Sequence, residues 1–122
     1  MNHSSLVLLA HGSRRSGWRE PFEELLRDLR YEAGEDRVYL AYMQLAEPDL
    51  ANVVRDLVAG GTRAIRILPL LISTGNHADK DIPAEVAALR KVYPGVQMEI
   101  LPPIGSHPRF KAMLRELVKE SL

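Results

Sequence analysis

Short apolar runs alternate along the chain with segments whose apolar residues recur every three or four positions. Leu6-Val7-Leu8-Leu9-Ala10 is a continuous apolar run closed by His11-Gly12-Ser13, the pattern of a strand buried on both faces. Trp18, Phe22, Leu25, Leu26 and Leu29 follow at helical spacing with charges between them, and Gly34 closes that helix. Val38 to Met43 is a second apolar run. Glu47-Pro48-Asp49 then makes a helix entry, and Leu50, Val53, Val54, Leu57 and Val58 form one stripe that stops at Gly60-Gly61. A third strand is expected from Ala64 to Ile72, with its ladder ended near Pro69, which has no N–H to donate. Residues Ser73 to Asp79 read as a polar loop. Asp79 or Asp81 can cap the next helix, with Pro83 in its first turn and Ile82, Val86, Leu89 and Tyr93 on its apolar face. Val96 to Leu101 is a fourth strand, stopped by Pro102-Pro103. Phe110, Met113, Leu114, Leu117 and Val118 line a last helix, entered near Ser106-His107-Pro108.

Strands alternating with helices imply right-handed crossovers and a parallel sheet. The expected fold is α/β: a flavodoxin-like, doubly wound, four-stranded parallel sheet of order 2-1-3-4 with helices on both faces. At 122 residues, the chain (1–122) is expected to be a single domain. Such a chain can bury roughly 65% of its unfolded surface without disulfides or structural metal.

Composition narrows the chemistry. There is no cysteine, which excludes thiol catalysis, zinc fingers, iron–sulfur clusters and disulfide frameworks. Sixteen Lys and Arg balance sixteen Asp and Glu, so no general affinity for nucleic acid or an anionic membrane is expected. No apolar run approaches the ~20 residues of a membrane span. The N-terminal segment lacks the basic region of a signal peptide and reads as a first strand, so a cytoplasmic location is expected.

In an open parallel sheet, ligands bind beyond the carboxyl ends of the strands, where the winding reverses direction. For order 2-1-3-4 that point lies between strands 1 and 3. His11 follows strand 1 and His77 lies after strand 3, so the topology sends two distant histidines to one crevice. A lone histidine at a strand end is usually a solvated loop residue, and it is the pairing that points to function. Two imidazoles suit a borderline divalent metal and acid–base work near neutral pH. Gln44, at the end of strand 2, and Glu47 just beyond it should border the same crevice. Arg14, Arg15 and Arg19 cluster after strand 1, either as a solvated helix start or as a fork for carboxylates or phosphates. His3 is given no role, and His107 is expected to act locally at a helix start. Ser13 lacks the G-x-S-x-G elbow of a nucleophile. The glycines form neither a dinucleotide-binding nor a P-loop pattern.

These segments together resemble the small CbiX-type sirohydrochlorin cobaltochelatases of the class II, ATP-independent chelatases. The resemblance rests on Leu6 to Ala10 leading into His11-Gly12-Ser13-Arg14, then Leu45-Ala46-Glu47-Pro48-Asp49-Leu50, Ile67-Leu68-Pro69-Leu70-Leu71, and Gly75-Asn76-His77 leading to Asp81-Ile82-Pro83. It implies a half-chelatase domain that pairs as a homodimer and inserts Co²⁺, Fe²⁺ or Ni²⁺ into a carboxylate-rich tetrapyrrole. It implies metal handling and catalysis by His11 and His77, and substrate contacts from Ser13, Arg14, Gln44, Glu47, Gly75 and Asn76. No tightly bound cofactor is implied; the divalent metal is a substrate. Relatives usually carry Glu where this chain has Gln44, which cannot take up a proton at neutral pH.

The function expected from the sequence is insertion of a divalent metal, Co²⁺ foremost, into sirohydrochlorin. A non-catalytic tetrapyrrole or metal carrier is the alternative, with Gln44 as its mark. A phosphoryl-transfer enzyme using a strand-end histidine is disfavoured, because no Arg directly precedes His11 and no partner histidine motif of that class is present.

Overall fold

A computed structural model describes residues 4–15, 17–34, 37–73 and 75–122, the side chains of Asn76 and His77 excepted. The element order is β1 (Ser4–Ala10), α1 (Glu20–Ala33), β2 (Val38–Tyr42), α2 (Leu50–Ala59), β3 (Ala64–Pro69), α3 (Gly75–Val92), β4 (Gln97–Ile100), a 3₁₀ turn (Ile104–Ser106) and α4 (Pro108–Ser121). All strand pairs are parallel and the sheet order is β2-β1-β3-β4, as the alternating pattern required. Pro69 ends β3, pairing with Leu9 at the last register position.

Side-chain alternation divides the core between the two faces of the sheet. Val7, Leu9, Ala41, Ile65, Ile67 and Met98 point to the face covered by α2 and α3, where they meet Leu50, Val53, Val54, Leu57, Ile82, Val86 and Leu89. Leu8, Ala10, Val38, Leu40 and Tyr42 point to the opposite face and pack under Trp18, Phe22, Leu26 and Leu29. Trp18 precedes α1 rather than lying in it, and stacks at a tilt on Phe22 and Tyr42 with ring centroids 4.9 and 5.7 Å apart.

One expectation is corrected. The helix after β3 begins at Gly75, so His77 stands in its first turn and not in a loop, and Pro83 lies well inside the helix. A proline there removes one backbone hydrogen bond and costs about 3 kcal/mol. Early burial of Ala78 and Ile82 on the α2–α3 face offsets it. The last helix forms as expected, and its apolar stripe is only half covered: Met113, Leu114, Leu117 and Val118 are 47–50% exposed. On that side of β3 and β4 the sheet instead shows Arg66 and Glu99, an exposed cross-strand pair with Nε and Oε2 3.6 Å apart. Helices therefore cover one face along its length and the other only over β1 and β2.

The helix ends follow from local chemistry. The Asp49 carboxylate caps α2, accepting from the Asn52 N–H at 2.8 Å. His107 caps α4, its Nδ1 accepting from the Arg109 N–H at 3.1 Å, which is the local role its position suggested. His3 lies outside the described residues. No described helix is long and apolar enough to cross a membrane.

Candidate functional site

Because every strand runs the same way, the loops after β1, β2, β3 and β4 emerge along one edge of the sheet. The chain crosses over in opposite directions from β1, giving the reversal that opens a crevice there. β1 and β3 are hydrogen-bonded neighbours, with Leu9 opposite Pro69. His11 sits one residue past the end of β1, and His77 is the third residue of the helix that follows β3. The geometry of the two rings is not described, since the His77 side chain lies outside the described residues, as does that of Asn76.

The His11 ring is exposed, and its Nδ1 lies 3.2 Å from the Gly12 carbonyl oxygen. With Nδ1–H donated to that carbonyl, Nε2 keeps its lone pair for a metal or a proton. Gly12 is buried against the next loop so tightly that a Cβ there would lie 1.1 Å from the Gln44 carbonyl oxygen. Only glycine permits this approach. The Met43 N–H donating to the Ala10 carbonyl at 2.8 Å ties the same two loops together. Gln44 is thus held beside His11 through main chain, and its own side chain is exposed.

Beyond Gln44, Leu45 adopts φ +60°, a conformation that costs a non-glycine residue roughly 1–2 kcal/mol. Its side chain is 52% exposed at the mouth, and Ile72, in the loop after β3, is 73% exposed. Both lie in loops at the carboxyl edge of the sheet, where an apolar ring could contact them.

The arginines divide by role. Arg19 donates from Nη1 to the Glu47 carbonyl at 3.0 Å and lies over the Tyr42 ring, 5.9 Å from its centroid. It therefore ties the entry of α1 to the loop after β2, and the sequence-level view of it as a substrate fork is less fitting than that of a brace. The Arg14 and Arg15 side chains are exposed, with no side-chain partner among the described residues. The Ser13 hydroxyl accepts from the Arg15 N–H at 3.1 Å, a local turn contact. Ser13, Arg14, Arg15, Gly17, Arg19 and Leu45 line part of a recess of about 740 Å³ at this edge. Glu47 is exposed and Gly75, at φ +59°, opens α3. Among the described residues no three His, Asp or Glu side chains converge as a metal cage.

Sequence inspection did not find Tyr42 or Glu85. Tyr42 closes β2 under Trp18, its hydroxyl buried without a hydrogen-bond partner among the described residues. Its pKa is raised by burial, then by Glu23, with Arg19 opposing. Glu85 on α3 is half-buried, and its pKa is raised first by burial and then by Asp49 and Asp81. The i, i+4 spacing of Asp81 and Glu85 was visible in the sequence. Their proximity to Asp49 was not, since it depends on how α3 packs beside the start of α2.

The comparisons agree with this architecture. The chain is 28% identical over 120 residues to the sirohydrochlorin cobaltochelatase of Sulfurisphaera tokodaii, covering 96% of this chain and 92% of the relative. It is 26% identical over 117 residues to the chloroplastic sirohydrochlorin ferrochelatase of Arabidopsis thaliana, covering 96% of this chain but 52% of that longer protein. The crystal structure of a CbiX protein from Marinobacter aquaeolei VT8 superposes with a TM-score of 0.85 at 35% identity, covering 97% of this chain and 96% of that one. The sequence model of the CbiX family matches residues 5–121. With the fold and nearly the full length in agreement, the chain belongs to the CbiX family.

Proposed function

We propose that this protein is a sirohydrochlorin chelatase that inserts a divalent metal, Co²⁺ foremost, into the macrocycle without ATP. The observation that carries this reading is the pairing of β1 with β3. It puts the residue after β1, His11, and the first turn of the helix after β3, which holds His77, at one reversal point of the sheet. Named relatives in the family are cobaltochelatases and ferrochelatases of sirohydrochlorin, which supports the substrate and leaves Co²⁺ and Fe²⁺ as competing metals.

The chemistry follows from the groups present. Metallation releases two pyrrole protons and requires the metal to shed water. His11 and His77 hold the metal through imidazole nitrogens, leaving positions open for the ring nitrogens. Of the four ring nitrogens that bind the metal, two lose their N–H proton, and an imidazole or water accepts each proton. Arg14 and Arg15, exposed and without side-chain partners among the described residues, bind the peripheral carboxylates, joined at the rim by Ser13, Gly75 and Asn76. Leu45 and Ile72 lie against the ring and favour a bent macrocycle whose lone pair faces the metal. Gln44 and Glu47 complete the wall from the loop after β2. One chain presents an open edge, so two copies facing each other supply the second wall. The 52% share of the Arabidopsis relative covered by this chain supports that count.

The test is an anaerobic absorbance assay of sirohydrochlorin with Co²⁺, Fe²⁺ and Ni²⁺ in turn. Protein-dependent metallation, fastest with Co²⁺, is expected. Tight tetrapyrrole binding without insertion of any metal would replace the enzyme with a carrier, and fastest insertion of another metal would overturn the choice of cobalt.

A further inference from the structure

Among the described residues, one buried side-chain polar atom lacks a hydrogen-bond partner: the Tyr42 hydroxyl. The residue closes β2 and is 2% exposed. A phenol held this way loses its hydration and gains no bond in return. Phenylalanine would fill the same space without that loss, so the hydroxyl calls for a use.

Its surroundings point to one. Trp18 stacks on the Tyr42 ring, and the Arg19 guanidinium carbon lies 5.9 Å from the ring centroid. The charges that act on the hydroxyl are those of Glu23 and Arg19. Both residues line the recess of about 740 Å³ that also takes in Arg14, Arg15 and Leu45. Tyr42 thus stands behind the Arg19–Glu23 wall of that recess. Along the lining, three arginines outweigh Glu20 and Glu23, which favours an anion. Arg19 gives one of its five N–H groups to the Glu47 carbonyl and keeps the others. The turn between recess and hydroxyl is lightly held. The Trp18 N–H reaches the Arg15 carbonyl, and the Glu20 N–H the Gly17 carbonyl, at 3.3 Å each, longer than the usual N–H···O distance. Gly17, at φ +79°, has open space around the position of a Cβ. A small movement of this turn brings the hydroxyl to the recess.

We propose that the recess is a carboxylate subsite: one peripheral carboxylate of the macrocycle enters it and accepts hydrogen bonds from the Tyr42 hydroxyl and from the remaining N–H groups of Arg19. The inference rests on the tetrapyrrole part of the proposed function. It adds a contact on the α1 side of the site, apart from the exposed Arg14 and Arg15, and gives the phenol its partner in the bound state. Arg19 keeps its bond to the Glu47 carbonyl throughout, so bracing and binding are compatible.

The test is Tyr42→Phe, which removes one oxygen atom and leaves the ring. Metal-free sirohydrochlorin is titrated into the intact protein and followed by absorbance, and KM is taken from anaerobic metallation. Loss of a hydrogen bond to a charged group predicts Kd and KM about tenfold higher, with Tm equal to or above that of wild type. In an Arg19→Ala background the same change should weaken binding by about threefold or less, because both groups hold one carboxylate. An unchanged Kd and KM, a lowered Tm, or an equal penalty with and without Arg19 would each overturn the proposal. The readouts separate the two claims. A wild-type protein that binds sirohydrochlorin but inserts no metal sinks only the chelatase reading, and the Kd comparison still stands. A wild-type protein that metallates, beside a Tyr42→Phe protein that binds equally well, sinks only the subsite.

Discussion

Replacing Gly12 by alanine tests how the site is held together. The new Cβ would lie 1.1 Å from the Gln44 carbonyl oxygen, where real contacts stop near 3.0 Å. The loops after β1 and β2 must therefore part by about 2 Å, and both neighbours are main chain that no rotamer change can clear. Overpacking of this kind costs about 1–3 kcal/mol. Stretching the Met43-to-Ala10 hydrogen bond adds roughly 1 kcal/mol. For a domain of this size about 3 kcal/mol lowers Tm by roughly 10 °C. The displacement falls between His11 and Gln44, so metal insertion should drop by about 10²-fold even where the variant is fully folded. Gly17→Ala is the control. Its φ of +79° carries strain, but no atom lies within 4 Å of its Cβ, so about 1 kcal/mol and near-normal turnover are expected. Thermal melts followed by circular dichroism, with insertion assayed well below Tm, measure both. A Gly12→Ala protein with wild-type Tm and rate would refute the reasoning that main-chain contact between these loops builds the site.

Three further outcomes are expected. Leu45→Gly should leave Tm unchanged or slightly raised, by up to about 1 kcal/mol in stability, since it relieves φ +60°. It should still raise KM for the tetrapyrrole; an unchanged KM would remove Leu45 from the ring contact. Gln44→Glu should raise the insertion rate by about tenfold or more if a carboxylate there takes a pyrrole proton, and an unchanged rate would leave proton uptake to imidazole or solvent. Glu85 holds its proton in the folded chain above the pH at which the unfolded chain loses it. The folded state therefore binds more protons across that window, and stability falls as pH rises through it. Glu85→Gln should exceed wild type in Tm at pH 7, with the gap closing below the ordinary carboxyl value of 4.5; a pH-independent gap would contradict burial of an ionisable group.

The sheet was legible because each strand is a short apolar run with a punctuating residue at its end: His11-Gly12 after β1, Pro69 in β3, Pro102 after β4. Strand order followed from handedness, and with it the meeting of the β1 and β3 loops. Periodicity failed at α3, where Pro83 suggested a start that early burial of Ala78 moves back to Gly75. For α4 periodicity gave the helix but not how far it is covered, because the close approach of Gly105 to the loop after β3, just before that helix, is a tertiary effect. At the site, Gly12 was noted as permitting close approach. What approaches, the Gln44 carbonyl, and the bracing of Glu47 by Arg19 became visible only once the loops were placed.

The most direct measurement is the initial rate of cobalt insertion into sirohydrochlorin, under anaerobic conditions, for His11→Ala and His77→Ala beside wild type. Loss of an imidazole that holds metal or moves a proton predicts a fall of at least about 10²-fold in each variant, with Tm preserved. Wild-type rates in both would contradict the claim that these two histidines serve one metal across the β1–β3 reversal.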